Sequence, residues 1–317
     1  MIELMVSLVI GLIVMIAIVS AYLGSAGASR MAEAQGRMNE DAQAALTILT
    51  QQLRMAGNNP KQTNYPSAAP GDPLPLSDRN PVFPAGSYIL RGCDGTFSNI
   101  AGATPAADIP ALICATGTNA LPDSIAIRYE AEKFNTVPTS GGAATDCLGQ
   151  SLTTVTGTHP VWDAATAAVN PAAPITYTVA ENRFYIGTST VIKSPSLYCK
   201  GNGGVNPQPL VENVEDMQFV YGTAPSTATT LSVGGYLSAA NILSDSGLAA
   251  LADDPSRWSK VMTVRICVLV RSELPVVSDA ASAQYIQCDG TLNTSPPDLR
   301  LRRAYTTTVV LRNRVAS

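Results

Sequence analysis

The chain has 317 residues, a formal net charge of −4, one histidine (His159) and six cysteines. Charged residues make up only 14%, against about 25% in an ordinary soluble domain. A mildly acidic balance disfavours a general nucleic-acid binder. A single histidine leaves little material for a His-rich metal site or for several acid–base roles. The length allows one large domain or two ordinary ones. Low charge combined with 22 Pro and 24 Gly is not the disorder signature, which pairs low hydrophobicity with high net charge. Composition therefore points away from a cytoplasmic enzyme and towards an exported chain.

Residues 4–23 read LMVSLVIGLIVMIAIVSAYL, with Ser7, Ser20 and the Tyr22 hydroxyl as the only polar side chains. Twenty helical residues span about 30 Å, the hydrocarbon thickness of a bilayer, and a helix satisfies its own backbone in lipid. No basic residue precedes the run, and it exceeds the about 7–15 residues of a signal-peptide core. Glu3 stands at its edge. An acid there is a functional candidate that needs a named partner.

After GSAGAS at 24–29, a helical pattern continues to Ala56. Met31, Ala34, Met38, Ala42, Ala45, Leu46, Leu49 and Leu53 fall on one stripe, and Arg30, Glu33, Arg37, Glu40, Asp41 and Arg54 fall off it. Such a stripe packs on a globular partner. Gly57-Asn58-Asn59-Pro60 is a stop signal. The predicted helix is about 80 Å long, apolar all round in its first half and amphipathic over 30–57. With no proline in it, Gly11, Gly24 and Gly27 are the places expected to unwind locally during assembly.

This N-terminus resembles that of type IV pilins and type II secretion pseudopilins, whose mature chains typically begin Phe-Thr-Leu-Ile-Glu-Leu. Ile2-Glu3-Leu4 matches the last three positions, and Met1 stands where the Leu before the Ile normally lies, so the family start is two residues longer. The resemblance implies cleavage and methylation of a leader-bearing precursor, residence of the helix in the inner membrane, then entry into a filament core. It also implies that Glu3 pairs with the N-terminal amine of a neighbouring subunit and so sets axial register. A charge in an apolar bundle is tolerated only when paired.

Residues 58–120 read as an irregular, proline-rich region, with seven prolines between Pro60 and Pro84. From residue 121 a β-rich head is predicted. IAIRY at 125–129 alternates apolar and polar. ITYTV and RFYIG within 175–187 read as a hairpin turning at Ala180-Glu181-Asn182. Residues 210–222 start irregularly and end as a strand, 261–271 are the best central strand, and 304–313 the last strand. Short helical signals lie at 238–251, with Asp253-Asp254-Pro255 as a stop. CDGT occurs twice, at Cys93 and Cys288, and reads as a tight turn each time.

The blocks LVENVEDMQFVYG, WSKVMTVRICVLVRS and LRRAYTTTVVLRN, with DCLG at Asp146 and LYC at Leu197, are similar to PilW-type minor pilins of type IV pili. The N-terminal motif is common to the superfamily; these blocks favour PilW over a pseudopilin. The fold implied is α+β: a long pilin helix packed on a mainly antiparallel sheet, with long Pro/Gly-rich loops.

Cys93, Cys114, Cys147, Cys199, Cys267 and Cys288 include no C-x-x-C pair, which removes the zinc-ribbon and thioredoxin signatures. An even count in an exported chain reads as three disulfides, with fifteen connectivities open. Sequential pairing, 93–114, 147–199 and 267–288, closes three loop-rich excursions and is the expectation. The alternative for Cys267, inside an apolar strand, is a free buried thiol.

No G-x-S-x-G elbow, P-loop or H-E-x-x-H is present. His159 with Asp163 reads as a loop pair. Asp94, Asp146 and Asp289 are loop aspartates of the kind that can bind calcium, but none lies in a D-x-[DN]-x-[DN]-G loop, so the signal is weak. Arg300, Arg302, Arg303, Arg312 and Arg314 make the C-terminal end basic, but without a stacking platform they read as a solvated or salt-bridged strand face. Asn293-Thr294-Ser295 is a chance-frequent sequon. No catalytic residue, cofactor or metal is therefore expected. The expected function is a non-enzymatic minor pilin that primes or occupies a tip complex and supports adhesion or motility. Its expected partners are other pilins through the N-terminal helix, the inner membrane before assembly, and a tip adhesin. The alternatives are a type II secretion pseudopilin and a membrane-tethered periplasmic enzyme or binding protein.

Overall fold

The structure, a computed structural model, describes residues 2–59, 88–100, 109–115, 122–163, 166, 168–188, 191, 193–226 and 232–315. Much of the proline-rich stretch predicted to be irregular lies outside the described residues. One helix, α1 (Ile2–Met55), occupies the N-terminus and runs without interruption through Gly11, Gly24 and Gly27. At 54 residues it is about 80 Å long.

The predicted stripe is the face that packs. Met38, Ala42, Ala45, Leu49 and Leu53 are buried along α1, while Met31, Ala34 and Leu46 are partly covered. Burying a leucine side chain contributes about 1.5–3 kcal/mol, so Leu49 and Leu53 are strong anchors. The helix ends where the sequence says it should. Gly57 has φ +69, a left-handed conformation that glycine adopts without a steric cost. Its N–H donates to the Arg128 carbonyl at 2.9 Å. A Cβ at Gly57 would lie 2.5 Å from the Ile89 Cδ1. The Asn313 side-chain amide donates to the Arg54 carbonyl in the last turn of α1 at 3.0 Å and to the Ala56 carbonyl just beyond it at 3.2 Å.

The head is built from two antiparallel sheets. The first contains β1 (Leu90–Cys93), β2 (Ser124–Glu130), β3 (Thr154–Asp163), β4 (Ala168–Thr188), β5 (Pro195–Lys200) and β6 (Gln208–Glu212), in the order β1-β2-β4-β5-β6 with β3 paired to β4. The chain then crosses to the second sheet at Asn213, which has φ 61, a conformation asparagine tolerates. From there follow β7 (Val214–Thr223), β8 (Gly235–Leu237), α2 (Ala239–Ser244), α3 (Asp254–Trp258), β9 (Val261–Arg271), a ribbon of β10 (Tyr285–Ile286) and β11 (Leu292–Asn293), β12 (Arg302–Val310) and α4 (Arg312–Val315). The second sheet has the order β12-β9-β7-β8. Helix α1 packs on β9 and β12 of one sheet and on β6 and β2 of the other, so it closes the core over both. The architecture is α+β.

Two local readings are corrected. The predicted hairpin at Ala180-Glu181-Asn182 does not exist: β4 is one strand of 21 residues running straight through it. The polar residues that read as a turn are buried and partnered instead. Asn182 donates to the Gln52 side chain at 2.7 Å and to the Tyr129 hydroxyl at 3.2 Å, and Glu181 pairs with Arg183 at 2.6 Å. Likewise Asp253-Asp254-Pro255 opens a helix rather than closing one. The Asp253 carboxylate caps α3 by accepting from Ser256 N–H at 2.8 Å, and proline fits the first turn because its missing N–H has no partner there anyway.

Candidate functional site

The N-terminal half of α1 stands clear of the head. Every residue from Ile2 to Leu23 is exposed, including Leu4, Leu8, Leu12, Ile13 and Ile16, each more than half exposed. Two polar side chains in the run turn inward on the helix: the Ser7 hydroxyl donates to the Glu3 carbonyl at 2.7 Å and the Ser20 hydroxyl to the Ala17 carbonyl at 2.9 Å. This lowers the polarity of the surface the helix offers. The segment is long and apolar enough to cross a membrane, and its one carboxylate, Glu3, lies in the first turn, where the helix dipole favours negative charge. An apolar surface of this extent in a chain with a separate, well-packed head is a surface for lipid or for other helices.

The other half of α1 fixes the head relative to that surface. Beyond the buried stripe, the Tyr305 hydroxyl donates to Asn39 Oδ1 at 2.6 Å, and Arg37 contacts Glu33 at 3.0 Å and Glu273 at 3.2 Å. These ion pairs are exposed, so they orient more than they stabilise.

The six cysteines form Cys93–Cys114, Cys147–Cys199 and Cys267–Cys288, and among the described residues no cysteine is free. Each bridge removes loop-closure freedom from the unfolded chain, typically about 2–4 kcal/mol. Cys267 in β9 is thereby tied to the excursion that precedes β12.

The aspartates considered as cation ligands are occupied with backbone N–H groups. Asp94 accepts from Ala239 at 2.8 Å and Ala240 at 3.0 Å, at the start of α2. Asp146 accepts from Leu148, Gln150 and Gly203 at 2.9–3.0 Å, and Asp289 accepts from Thr291 at 2.8 Å. Both CDGT segments are turns whose glycine has positive φ, Gly95 at 86 and Gly290 at 85. Of the C-terminal arginines, Arg300 and Arg302 are ion-paired and Arg303 lies on a ring. Arg302 holds Glu215 at 2.6 Å and Asp298 at 2.7 Å, Arg300 holds Asp298 at 3.2 Å, and Arg303 lies over the Tyr305 ring. Asn293 of the sequon donates to the Tyr285 hydroxyl at 3.1 Å. The backbone of His159 and Asp163 belongs to β3, not to a loop; their side chains lie outside the described residues.

One buried group escaped the sequence reading. Asp123 is 4% exposed and joins the two sheets: its carboxylate accepts from Gly95 N–H at 2.9 Å and from Phe219 N–H, in β7, at 2.8 Å. Burial pushes its pKa up to about 7, against the opposing pull of those two N–H groups, and the nearby Asp94 and Asp216 push it further. No motif marks it, because its two donors lie 28 and 96 residues away. A carboxyl that is harder to ionise when folded favours the folded state most below its unfolded pKa, near 3.8, and that contribution is lost as pH rises towards 7. Asp123→Asn removes the titration. The stability of wild type relative to this variant, from urea unfolding in detergent between pH 4 and 8, is therefore expected to fall as pH rises across that window. A constant difference contradicts the assignment.

Residues 183–313 match the PilW family, type IV pilus-assembly protein W. No curated protein and no solved structure matches the chain. The matched segment runs from the last third of β4 into α4 and so contains the whole second sheet and β6, on which α1 packs, while β2, which α1 also contacts, lies before it.

Proposed function

From a chain that carries a PilW domain and a free-standing apolar helix, we propose a non-enzymatic structural subunit of a type IV pilus, a minor pilin. It acts in priming or at the tip and supports adhesion or motility. The observation that carries this reading is the division of α1: one half wholly exposed and apolar, the other packed by one stripe on the head that contains the matched segment. The mechanism is exchange of surroundings. Residues 4–23 rest in the inner membrane, where their surface is matched by lipid. They then leave it for the helices of other pilus subunits, a step with little cost in hydrophobic burial because one apolar environment replaces another.

Glu3 is the exception, since a carboxylate is costly in either surrounding unless paired; a cationic group on a neighbouring subunit is its proposed partner. The disulfide-bonded head then faces outward on the extracellular filament. The PilW match favours a pilus over a type II secretion pseudopilin. The test is fractionation: sheared, washed pili from cells producing this chain are probed with an antibody to its head. The chain is expected in the pilus fraction as a minority component. Its confinement to the membrane fraction contradicts the proposal, and its being the main filament protein contradicts the minor role.

A further inference from the structure

Strand β4 outruns its sheet. Its pairing with β2 stops at Val179, opposite Glu130, Ala131 N–H still donates to the Thr178 carbonyl, and residues 168–177 pair with β3 alone. This end of the sheet lies beside the end of α1, since Glu130 N–H donates to the Asn58 carbonyl and Arg128 accepts from Gly57. The two-stranded arm therefore extends past the helix end, away from the apolar segment, by about 35 Å at roughly 3.3 Å per residue. Two strands with no third layer are at best marginally stable in water.

Edges of this kind are normally blunted by charge or proline. The outer half carries Pro160, Pro171 and Pro174, but across 151–180 the only Asp, Glu, Lys or Arg is Asp163. Residues 154–158, Thr-Val-Thr-Gly-Thr, have neither guard. Thr154, Val155 and Thr156 are exposed, and among the described residues no strand lies on the far side of β3.

We propose that this arm is a docking edge for an extended, uncharged segment of a different protein subunit, which adds a strand to β3 along residues 154–158. The arm's position at the end opposite the apolar helix puts it out of reach of the membrane that holds that helix. Its lack of charge fits an uncharged strand, with main-chain hydrogen bonds supplying the affinity. That the partner is a pilus component rests on the function proposed above.

The test is photo-crosslinking in living cells, with a photoreactive amino acid at Val155 of the full chain. A single discrete protein adduct is expected, with a partner other than this chain. Thr154→Lys together with Thr156→Lys is expected to reduce it at least tenfold, and Thr156→Val, which keeps the edge uncharged, to preserve it. No adduct, a lipid adduct, an adduct of two copies of this chain, or one indifferent to the lysines overturns the inference. A lysine-sensitive partner that is not a pilus component supports the docking edge and counts against the pilus reading.

Discussion

Replacing Glu215 with Ala is expected to destabilise the head by about 1.5–3 kcal/mol, because the buried Arg302 guanidinium loses two charge-assisted hydrogen bonds and keeps only Asp298 as an ionic partner. Glu215 binds Arg302 through two hydrogen bonds, 2.6 Å to Nε and 3.0 Å to Nη2, and Arg271 at 3.2 Å. The Arg302 side chain is 1% exposed, so water cannot take over. Burial alone disfavours its charge, but the hydrogen bonds from Arg302 to Glu215 and Asp298 outweigh that and hold the guanidinium above its ordinary pKa. The arrangement locks the start of β12 to β7 and β9 at the end of the head nearest the apolar helix. The control is Glu33→Ala, whose partner Arg37 is 61% exposed; a change within about 0.5 kcal/mol is expected there. Urea unfolding of the detergent-solubilised chain measures both. A Glu215→Ala loss no larger than the control's contradicts the buried-pair assignment.

Glu3→Ala is expected to lower the amount of this chain in sheared pili at least tenfold without changing the stability of the head. Glu3 lies in the exposed half of α1, more than thirty residues before the buried stripe begins at Met38, so head packing cannot register the change. Alanine is the better residue for a helix in lipid, and membrane retention is expected to persist. Only the proposed step, in which Glu3 meets a cationic neighbour, is expected to suffer. Equal pilus content in wild type and variant contradicts an assembly role for this carboxylate.

What could be read from the sequence was what local periodicity and local chemistry encode. The helix was legible because its apolar run and its later stripe repeat at helical spacing, and its end because Gly57 meets a stop signal. The last two long strands, β9 and β12, were legible from their β-branched runs. The pairing Cys93–Cys114, Cys147–Cys199 and Cys267–Cys288 follows the simplest sequential scheme, though spacing alone left fifteen open. Long-range partners were hidden. Glu181 and Asn182 looked like turn residues because the partners that bury them are remote: Ile109 N–H, 72 residues earlier, donates to the Glu181 carboxylate, and Gln52, 130 residues earlier, accepts from the Asn182 amide. Asp253 and Pro255 serve equally to end one helix or begin the next, and only the observed α3 decides. Asp123 shows no local signal at all, since burial between two sheets is a property of the folded chain.

The most direct measurement bearing on the central claim is the lipid accessibility of the α1 apolar half before and after assembly. A nitroxide attached at Ile13→Cys, a position 60% exposed on the apolar segment, reports collisions with oxygen dissolved in lipid. In the inner-membrane fraction the label is expected to be oxygen-accessible and lipid-facing. In sheared pili it is expected to be immobilised and shielded, because neighbouring helices have replaced the acyl chains. A label that stays lipid-accessible wherever the chain is found contradicts the proposal that this helix leaves the membrane to join a filament.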